Sequence, residues 1–407
     1  MIQARTTPAN ALAAFALAAS TSILASCVAA RPAARGVPHP TAPISLSSGP
    51  LAVGANPTPT RSLILLTLDG VRWQDVCNGV EPARARRAGL ADDRIVDAPT
   101  LLPNLYRLAA RGTLIGAGAD RIDASGPNYV SLPGYWEILT GHRPPSCRTN
   151  HCSATMESTL IDEVAAAPGV ARSDVAVFSS WERIERAAAA EPDKVVLSTG
   201  RHGGQPAAAV AWDDTSRALL ERAAAVDPWP GDDDYRPDAF TAELAVHYLE
   251  TRDPRLLYLS LGDTDEHAHH DDYRRYLDAL VFADRTLGRI LDDLDALGER
   301  GRQTAVVVTT DHGRAANFKG HGAGDTESGR VWLAAGGGGI APAATSETGA
   351  RWYLGDVAPT LRTLVGLPDD PSEGAGVAIG SLLGHDARIA SASDAQRRFS
   401  DARVTGR

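Results

Sequence analysis

Four short apolar runs, at residues 62–68, 174–178, 256–261 and 304–309, alternate with longer helix-like segments at 103–111, 237–250 and 271–297. Runs of that length, bounded by polar or turn residues, suit strands buried on both faces, as in parallel sheets. The β–α alternation continues along the chain, so it predicts an α/β fold with helices on both faces of a largely parallel central sheet. A closing segment, Asp356-Val357-Ala358-Pro359-Thr360-Leu361, predicts a capped helix packed on that sheet. With 407 residues, 43% of them hydrophobic, the chain can bury one large core or at most two smaller ones.

Ahead of this pattern, Arg5 stands in a short polar start and an apolar stretch follows at 11–25, too short to span a bilayer and laid out like a secretory signal. It runs into Leu24-Ala25-Ser26-Cys27, which resembles the lipobox of bacterial lipoproteins, where cleavage before the cysteine leaves a lipidated N-terminus. The alternative is an ordinary cleavable signal with an incidental cysteine. The lipobox reading divides the chain into a signal peptide at 1–26, a Pro/Ala/Ser/Gly-rich tether at 27–60, a folded domain at 61–388 and a polar tail at 389–407. It places the protein in the bacterial cell envelope, periplasmic or outer-membrane-facing, touching membrane only through a lipid anchor at Cys27. The formal net charge of −10 and the lack of any Lys/Arg run argue against nucleic acid or an anionic membrane as electrostatic partner. Export also permits a disulfide. Cys147 and Cys152 are expected to staple a small loop, with Cys77 unassigned; a Cys147/His151/Cys152 metal site lacks a fourth ligand.

Ligands of open parallel sheets sit beyond the carboxyl ends of the strands. Three runs deliver acids there: 62–68 leads into Asp69-Gly70, 256–261 into Gly262-Asp263-Thr264-Asp265-Glu266-His267, and 304–309 through Thr310 into Asp311-His312-Gly313. A strand-terminal Asp is also a common turn or cap residue, so Asp69 alone is even between cap and ligand. Asp311 and His312 leave one strand end together, and Asp263 and His267 are four apart, a spacing that one helical turn folds onto a single ion. His321, in the Gly-rich stretch 320–324, offers a further imidazole. The nucleophile candidate is Ser131, just before a run opened by Pro133, where a helix N-terminus favours an alkoxide and the anion it attacks. Locally a plain N-cap serves as well.

In their order these segments resemble the alkaline phosphatase superfamily of metalloenzymes, which includes type I phosphodiesterases/nucleotide pyrophosphatases, sulfatases and cofactor-independent phosphoglycerate mutases. The elements are Leu68-Asp69-Gly70, Ser131-Leu132-Pro133 with Leu139-Thr140-Gly141, Asp263 with His267, Thr310-Asp311-His312-Gly313, His321, and Asp356 with Pro359-Thr360-Leu361, spanning about residues 62–383. The resemblance implies a three-layer alkaline-phosphatase-like fold over 61–388. It makes Asp69, Ser131, Asp311 and His312 ligands of one divalent ion and Asp263, His267 and His321 ligands of another. Mixed Asp/His ligation suits zinc, with manganese the alternative. Two such ions would activate Ser131 and stabilise the leaving oxygen, through a phosphoseryl intermediate. Asn150 lies about where the phosphodiesterase branch has an Asn that contacts a phosphate oxygen, and Lys319, beside His321, is a further candidate for a substrate anion.

Two departures from the family refine this expectation. Sulfatases require Cys or Ser followed by x-Pro-x-Arg for maturation to formylglycine; Tyr135 occupies that Arg position, so Ser131 should remain serine and phosphate esters be preferred to sulfate. The diesterase branch has Asn-His after the Pro, whereas this chain has Gly134-Tyr135, which leaves diester only slightly preferred over monoester. A small phosphorylated substrate is therefore the expected partner. The competing readings are a sulfatase-like or phosphoethanolamine-transferase-like enzyme, and a non-catalytic surface lipoprotein of the same fold. His269 and His270 read as solvent-facing neighbours of His267, and His202 as a loop residue without support.

Overall fold

The computed structural model describes residues 60–205, 210–342, 349–368, 370, 372 and 374–383. The expected signal peptide, Cys27, the tether up to residue 59 and the tail from 389 lie outside the described residues. The strands, in chain order, are β1 (Ser62–Leu68), β2 (Gly112–Ile115), β3 (Arg121–Asp123), β4 (Val175–Ser179), β5 (Val196–Thr199), β6 (Gly203–Gly204), β7 (Leu256–Leu261), β8 (Thr304–Thr309), β9 (Arg330–Val331), β10 (Leu333–Gly337) and β11 (Arg351–Tyr353). Eight of them form one sheet in the order β2-β10-β8-β1-β7-β4-β5-β6, and β11-β3-β9 form a small second one. The centre, β8-β1-β7-β4-β5, is parallel throughout. Antiparallel strands close both edges, β10 and β2 on one side and β6 on the other.

Every residue of β1, β4, β7 and β8 is buried, because alternate side chains enter two different cores. Ile64, Leu66, Leu257, Leu259, Val306 and Val308 pack with α1 (Pro103–Ala109), α4 (Asp238–Arg252) and α6 (Tyr273–Ala296), the helices of one face. Leu63, Leu65, Tyr258 and Val307 point to the other face and pack with α2 (Ser131–Thr140), α3 (Leu160–Ala165) and α7 (Val357–Val365). The result is three layers, α/β/α, as the β–α alternation predicts. The predicted helix at 271–297 begins at Tyr273 and is preceded by a separate short helix, α5 (Asp263–His269). Residues Leu333–Gly337 escape a reading by apolar runs because small residues and two glycines make this strand.

Two features of this scaffold position the site. β1 lies between β7 and β8, and the registers Leu68↔Leu261 and Thr67↔Thr309 bring three carboxyl-terminal strand ends level. The segments beginning at Asp69, Gly262 and Thr310 therefore leave the sheet side by side. No helix among the described residues is long and apolar enough to cross a membrane. Cys147 and Cys152 form the expected disulfide, and Cys77 is free and half-buried.

Candidate metal centre

Asp69, Asp311 and His312 converge, all buried, at the end of β1 and β8. His312 Nδ1 lies 2.8 Å from the Gly313 carbonyl, which only an Nδ1–H can satisfy, so Nε2 is left as a lone pair facing the site. That Nε2 is 3.4 Å from Asp69 Oδ1, 3.3 Å from Asp311 Oδ2 and 3.3 Å from Ser131 Oγ; Ser131 Oγ is 3.5 Å from Asp69 Oδ1. Four of the six edges of the Asp69/Asp311/His312/Ser131 tetrahedron are thus fixed. A tetrahedral zinc with bonds of about 2.0–2.1 Å has ligand–ligand edges of about 3.3 Å.

Electrostatics point the same way. Asp311 Oδ2 is buried without a hydrogen-bond partner and faces another acceptor, so it needs a cation or a proton. Burial first, and then the charges of Asp311 and Asp265, raise the Asp69 carboxyl well above its ordinary range. Burial and Asp265 push Asp311 up to about 8. Burial, reinforced by His321, holds His312 far below the usual imidazole value. Two carboxyls that resist ionisation beside an imidazole that resists protonation are a donor set that a positive ion would stabilise.

Ser131 is the first residue of α2, and no side chain caps this helix; the Ser131 hydroxyl faces Asp69 and His312 instead of a backbone N–H. The simple cap reading is thereby set aside. Gly134 allows the helix to approach this closely, since a Cβ there would collide with the Asp311 carbonyl.

The second group corrects the expected ligand pair. Asp265, His269 and His321 come together, not Asp263 and His267 with His321. His269 Nε2 is 2.9 Å from Asp265 Oδ2 and 3.1 Å from His321 Nε2, and His321 Nε2 is 3.9 Å from Asp265 Oδ1. Tyr129 O, 2.8 Å from His321 Nδ1, fixes that ring with Nε2 toward the group. Both pairs have i,i+4 spacing on α5, but two residues advance a helix by about 200°, so only one pair can face the site. Asp263 turns away and accepts from Tyr235 OH at 2.8 Å and Asp238 N at 3.2 Å. His267 is buried near Trp229, with ring centroids 6.3 Å apart. His269, set aside as solvent-facing in the sequence, is thus part of the site. The His321 ring stacks on His312 with centroids 3.8 Å apart, which joins the two groups.

Three other residues complete the surroundings. Asn150 Oδ1 accepts from Leu132 N at 2.9 Å, which puts its amide against the N-terminus of α2 inside the Cys147–Cys152 loop. Lys319 is exposed, and its carbonyl accepts from Arg314 Nη2 at 2.6 Å. Tyr135 OH donates to Asp69 Oδ2 at 2.9 Å, so the residue in the sulfatase arginine position braces the Asp69 carboxyl.

Fold, strand-end acids and a serine at the start of a helix that faces them agree with what the comparisons find. In its fold the chain is similar to the alkaline phosphatase superfamily. The family model for type I phosphodiesterase / nucleotide pyrophosphatase matches residues 157–328, a stretch that holds Asp265, His269, Asp311, His312 and His321. A curated relative, the 2,3-bisphosphoglycerate-independent phosphoglycerate mutase of Haloarcula marismortui, is 27% identical over 167 residues, covering 39% of this chain and 29% of that relative's length. Among solved structures of this superfamily fold, the phosphonate monoester hydrolase of Agrobacterium radiobacter aligns with a TM-score of 0.51 at 15% identity, over 81% of this chain and 78% of its own. A 2-O GAG sulfatase aligns with a TM-score of 0.51 at 15% identity, over 80% of this chain and 75% of its own. A protein solved with its substrate D-glucosamine-2-N,6-O-disulfate aligns with a TM-score of 0.52 at 15% identity, over 80% of each chain.

Proposed function

We propose that this protein is a phosphoric ester hydrolase of the alkaline phosphatase superfamily, with Ser131 as its nucleophile and two divalent cations, zinc in the first instance, as its cofactors. The observation that carries the reading is the Ser131 hydroxyl, 3.3 Å from His312 Nε2 and 3.5 Å from Asp69 Oδ1, at a corner of a zinc-sized tetrahedron. Asp69, Asp311, His312 and Ser131 would hold one ion and Asp265, His269 and His321 the other. Such ions act as Lewis acids, lowering the pKa of the serine hydroxyl and offsetting charge on the leaving oxygen.

The chain's own groups supply the rest. Ser131 gives up its proton to solvent and Oγ forms a bond to phosphorus as the ester oxygen departs and takes up a proton; water then cleaves the phosphoseryl bond, releasing the phosphate product and restoring the hydroxyl. The positive end of the α2 dipole attracts the phosphoryl oxygens, while Leu132 N itself is taken up by Asn150 and Pro133 has no N–H. The Asn150 amide, held by Leu132 N, offers N–H donors to a non-bridging oxygen. Tyr135 keeps Asp69 in place, and the Gly313 carbonyl keeps the His312 ring in one tautomer.

The family match supports a phosphodiester as slightly preferred over a monoester, and Tyr135, committed to Asp69, supports phosphate over sulfate. Aryl phosphate diester, monoester and sulfate, assayed with zinc-replete protein beside Ser131→Ala, test the proposal. Turnover of the phosphate esters should fall about 10³-fold or more in the variant. Unchanged activity removes Ser131 from the mechanism, and sulfate as best substrate overturns the phosphate reading. The envelope location is part of the same proposal: labelled fatty acid should enter the wild-type chain and not Cys27→Ser, and equal labelling would remove the anchor.

A further inference from the structure

Arg314 is a buried cation placed directly on a member of the second ligand group. Its side chain has no exposed surface, and its guanidinium forms an ion pair with Asp265 through Nη1. Nε donates to Phe318 O and Nη2 to Lys319 O at 2.6 Å, so all three nitrogens are committed and the group is fixed. Among the described residues Asp265 is its only acidic partner. The neighbouring backbone is shaped around this pair. Gly70 has φ +62°, and a Cβ on it would collide with both Asp265 Oδ1 and Arg314 Nη1.

The formal charges of the two groups therefore differ. Asp69 and Asp311 give the first group two carboxylates, with His312 and the Ser131 hydroxyl as neutral donors and, among the described residues, no arginine or lysine bonded to either acid. The second group has one carboxylate, Asp265, whose charge is already balanced by Arg314, and two imidazoles. Once a divalent ion has displaced their protons, Asp69 and Asp311 face it as two carboxylates that no guanidinium balances; an ion in the second group faces one carboxylate already paired with Arg314. Asp265 Oδ1 must also divide its lone pairs between ion and guanidinium.

We infer that Arg314 makes the two metal positions unequal, so that the Asp69/Asp311/His312/Ser131 position fills first and the Asp265/His269/His321 position binds its ion weakly and reversibly. The inference rests on the two-cation reading above. It gives the second ion the character of a concentration-dependent activator: the nucleophile's own position stays loaded, and the availability of zinc decides whether the second is occupied.

The test is calorimetric titration of zinc into metal-stripped full-length protein, read as stoichiometry and stepwise affinity. Wild type should bind two ions, the second at least about tenfold more weakly. Asp265→Asn should erase the weak step and keep the tight one. Arg314→Gln should tighten the weak step about tenfold or more with the tight step unchanged, whereas Arg314→Lys, which keeps the charge, should leave it weak. Two wild-type steps of equal affinity overturn the inference without any variant having to fold, and so does a folded Arg314→Gln with the wild-type ratio. Two equal steps leave the two-cation hydrolase intact; a wild-type protein that binds no zinc removes both.

Discussion

The two ligand groups lie against each other through the stacked His312 and His321 rings, yet they solve the problem of buried charge in opposite ways. In the first, Asp69 and Asp311 are buried with no arginine or lysine bonded to them among the described residues, and both carboxyls are driven upward by burial and by neighbouring acids. In the second, burial also pulls Asp265 upward, but Arg314, His269 and His321 outweigh it and hold this carboxyl well below its ordinary range. The first group is unstable as an ionised set without an added cation. The second carries its own. Acids delivered to one sheet edge therefore need not be equivalent ligands, and the side chains bonded to each decide what it can bind.

Asp311→Asn against Asp265→Asn gives the largest expected contrast. Asp311→Asn should remove tight zinc binding and lower kcat by about 10³-fold or more, because it strips a ligand from the ion that shares Ser131. Asp265→Asn should keep one zinc and lose the second. Equal loss of both ions from both variants would erase the distinction between the groups.

A second consequence appears when the metal is removed. In the metal-free protein Asp311 keeps its proton up to about pH 8, while the same side chain in the unfolded chain releases it near 3.8. The native state then binds more protons than the unfolded state between those values, so stability falls as pH rises and the fall is complete above about 8. His312 acts below its ordinary value of 6.5, where charging a buried imidazole destabilises the acid side, so the window from 6.5 to 8 belongs to the carboxyls. The Asp311 proton alone should lower the stability of stripped protein across that window by about 2 kcal/mol. Zinc should remove the Asp311 part of the drop, since it replaces that proton, and leave the part due to Glu266, which burial also pushes up to about 8. Thermal melts of stripped and zinc-loaded protein at pH 6.5 and 8 measure this, and parallel curves would mean that the first group does not hold the ion.

How much of this arrangement is legible in the sequence depends on how local its determinants are. Asp69 and Asp311-His312 follow directly from apolar strands ending in polar residues, because strand direction and burial decide where the next side chain goes. Ser131 is legible as a residue at a helix start, although its Asp69 and His312 contacts come from 62 and 181 residues away. The facing side of α5 is not legible. Asp263-Thr264-Asp265-Glu266-His267-Ala268-His269 contains two i,i+4 Asp/His pairs, and the choice between them is made by Asp238, whose carboxylate accepts from Gly262 N at 2.8 Å and Asp263 N at 3.0 Å. A clamp from 24 and 25 residues upstream sets the rotation of the helix, and no local pattern encodes it. Arg314 is hidden for the same reason: next to Asp311-His312-Gly313 it reads as any surface arginine until the chain folds it under Gly70.

Tyr135→Phe has a smaller expected effect than either carboxylate change. It removes the 2.9 Å hydrogen bond to Asp69 Oδ2 and leaves the ring's packing intact. Loss of such a supporting contact should weaken the tight zinc step about tenfold, with KM little changed and the weak step unaffected. An equal shift in both steps would show that Tyr135 supports the fold as a whole and not the first group.

The smallest expected effect is also the sharpest check on the orientation of α5. His267 and His269 lie two residues apart on one short helix, and only the second has a nitrogen in contact with Asp265 and His321. His267 is pushed down to about 4, chiefly by burial, so it is uncharged near neutral pH and offers no charge to the site. His267→Gln should therefore leave zinc stoichiometry, both affinities and turnover at wild-type values, with a stability cost of about 1 kcal/mol from the altered packing. His269→Gln should weaken the second zinc step by about tenfold or more and leave the first alone. The reverse pattern, with zinc lost in His267→Gln and retained in His269→Gln, would mean that α5 presents its Asp263/His267 side, and the charge balance between Asp265 and Arg314 would then have no bearing on the second ion.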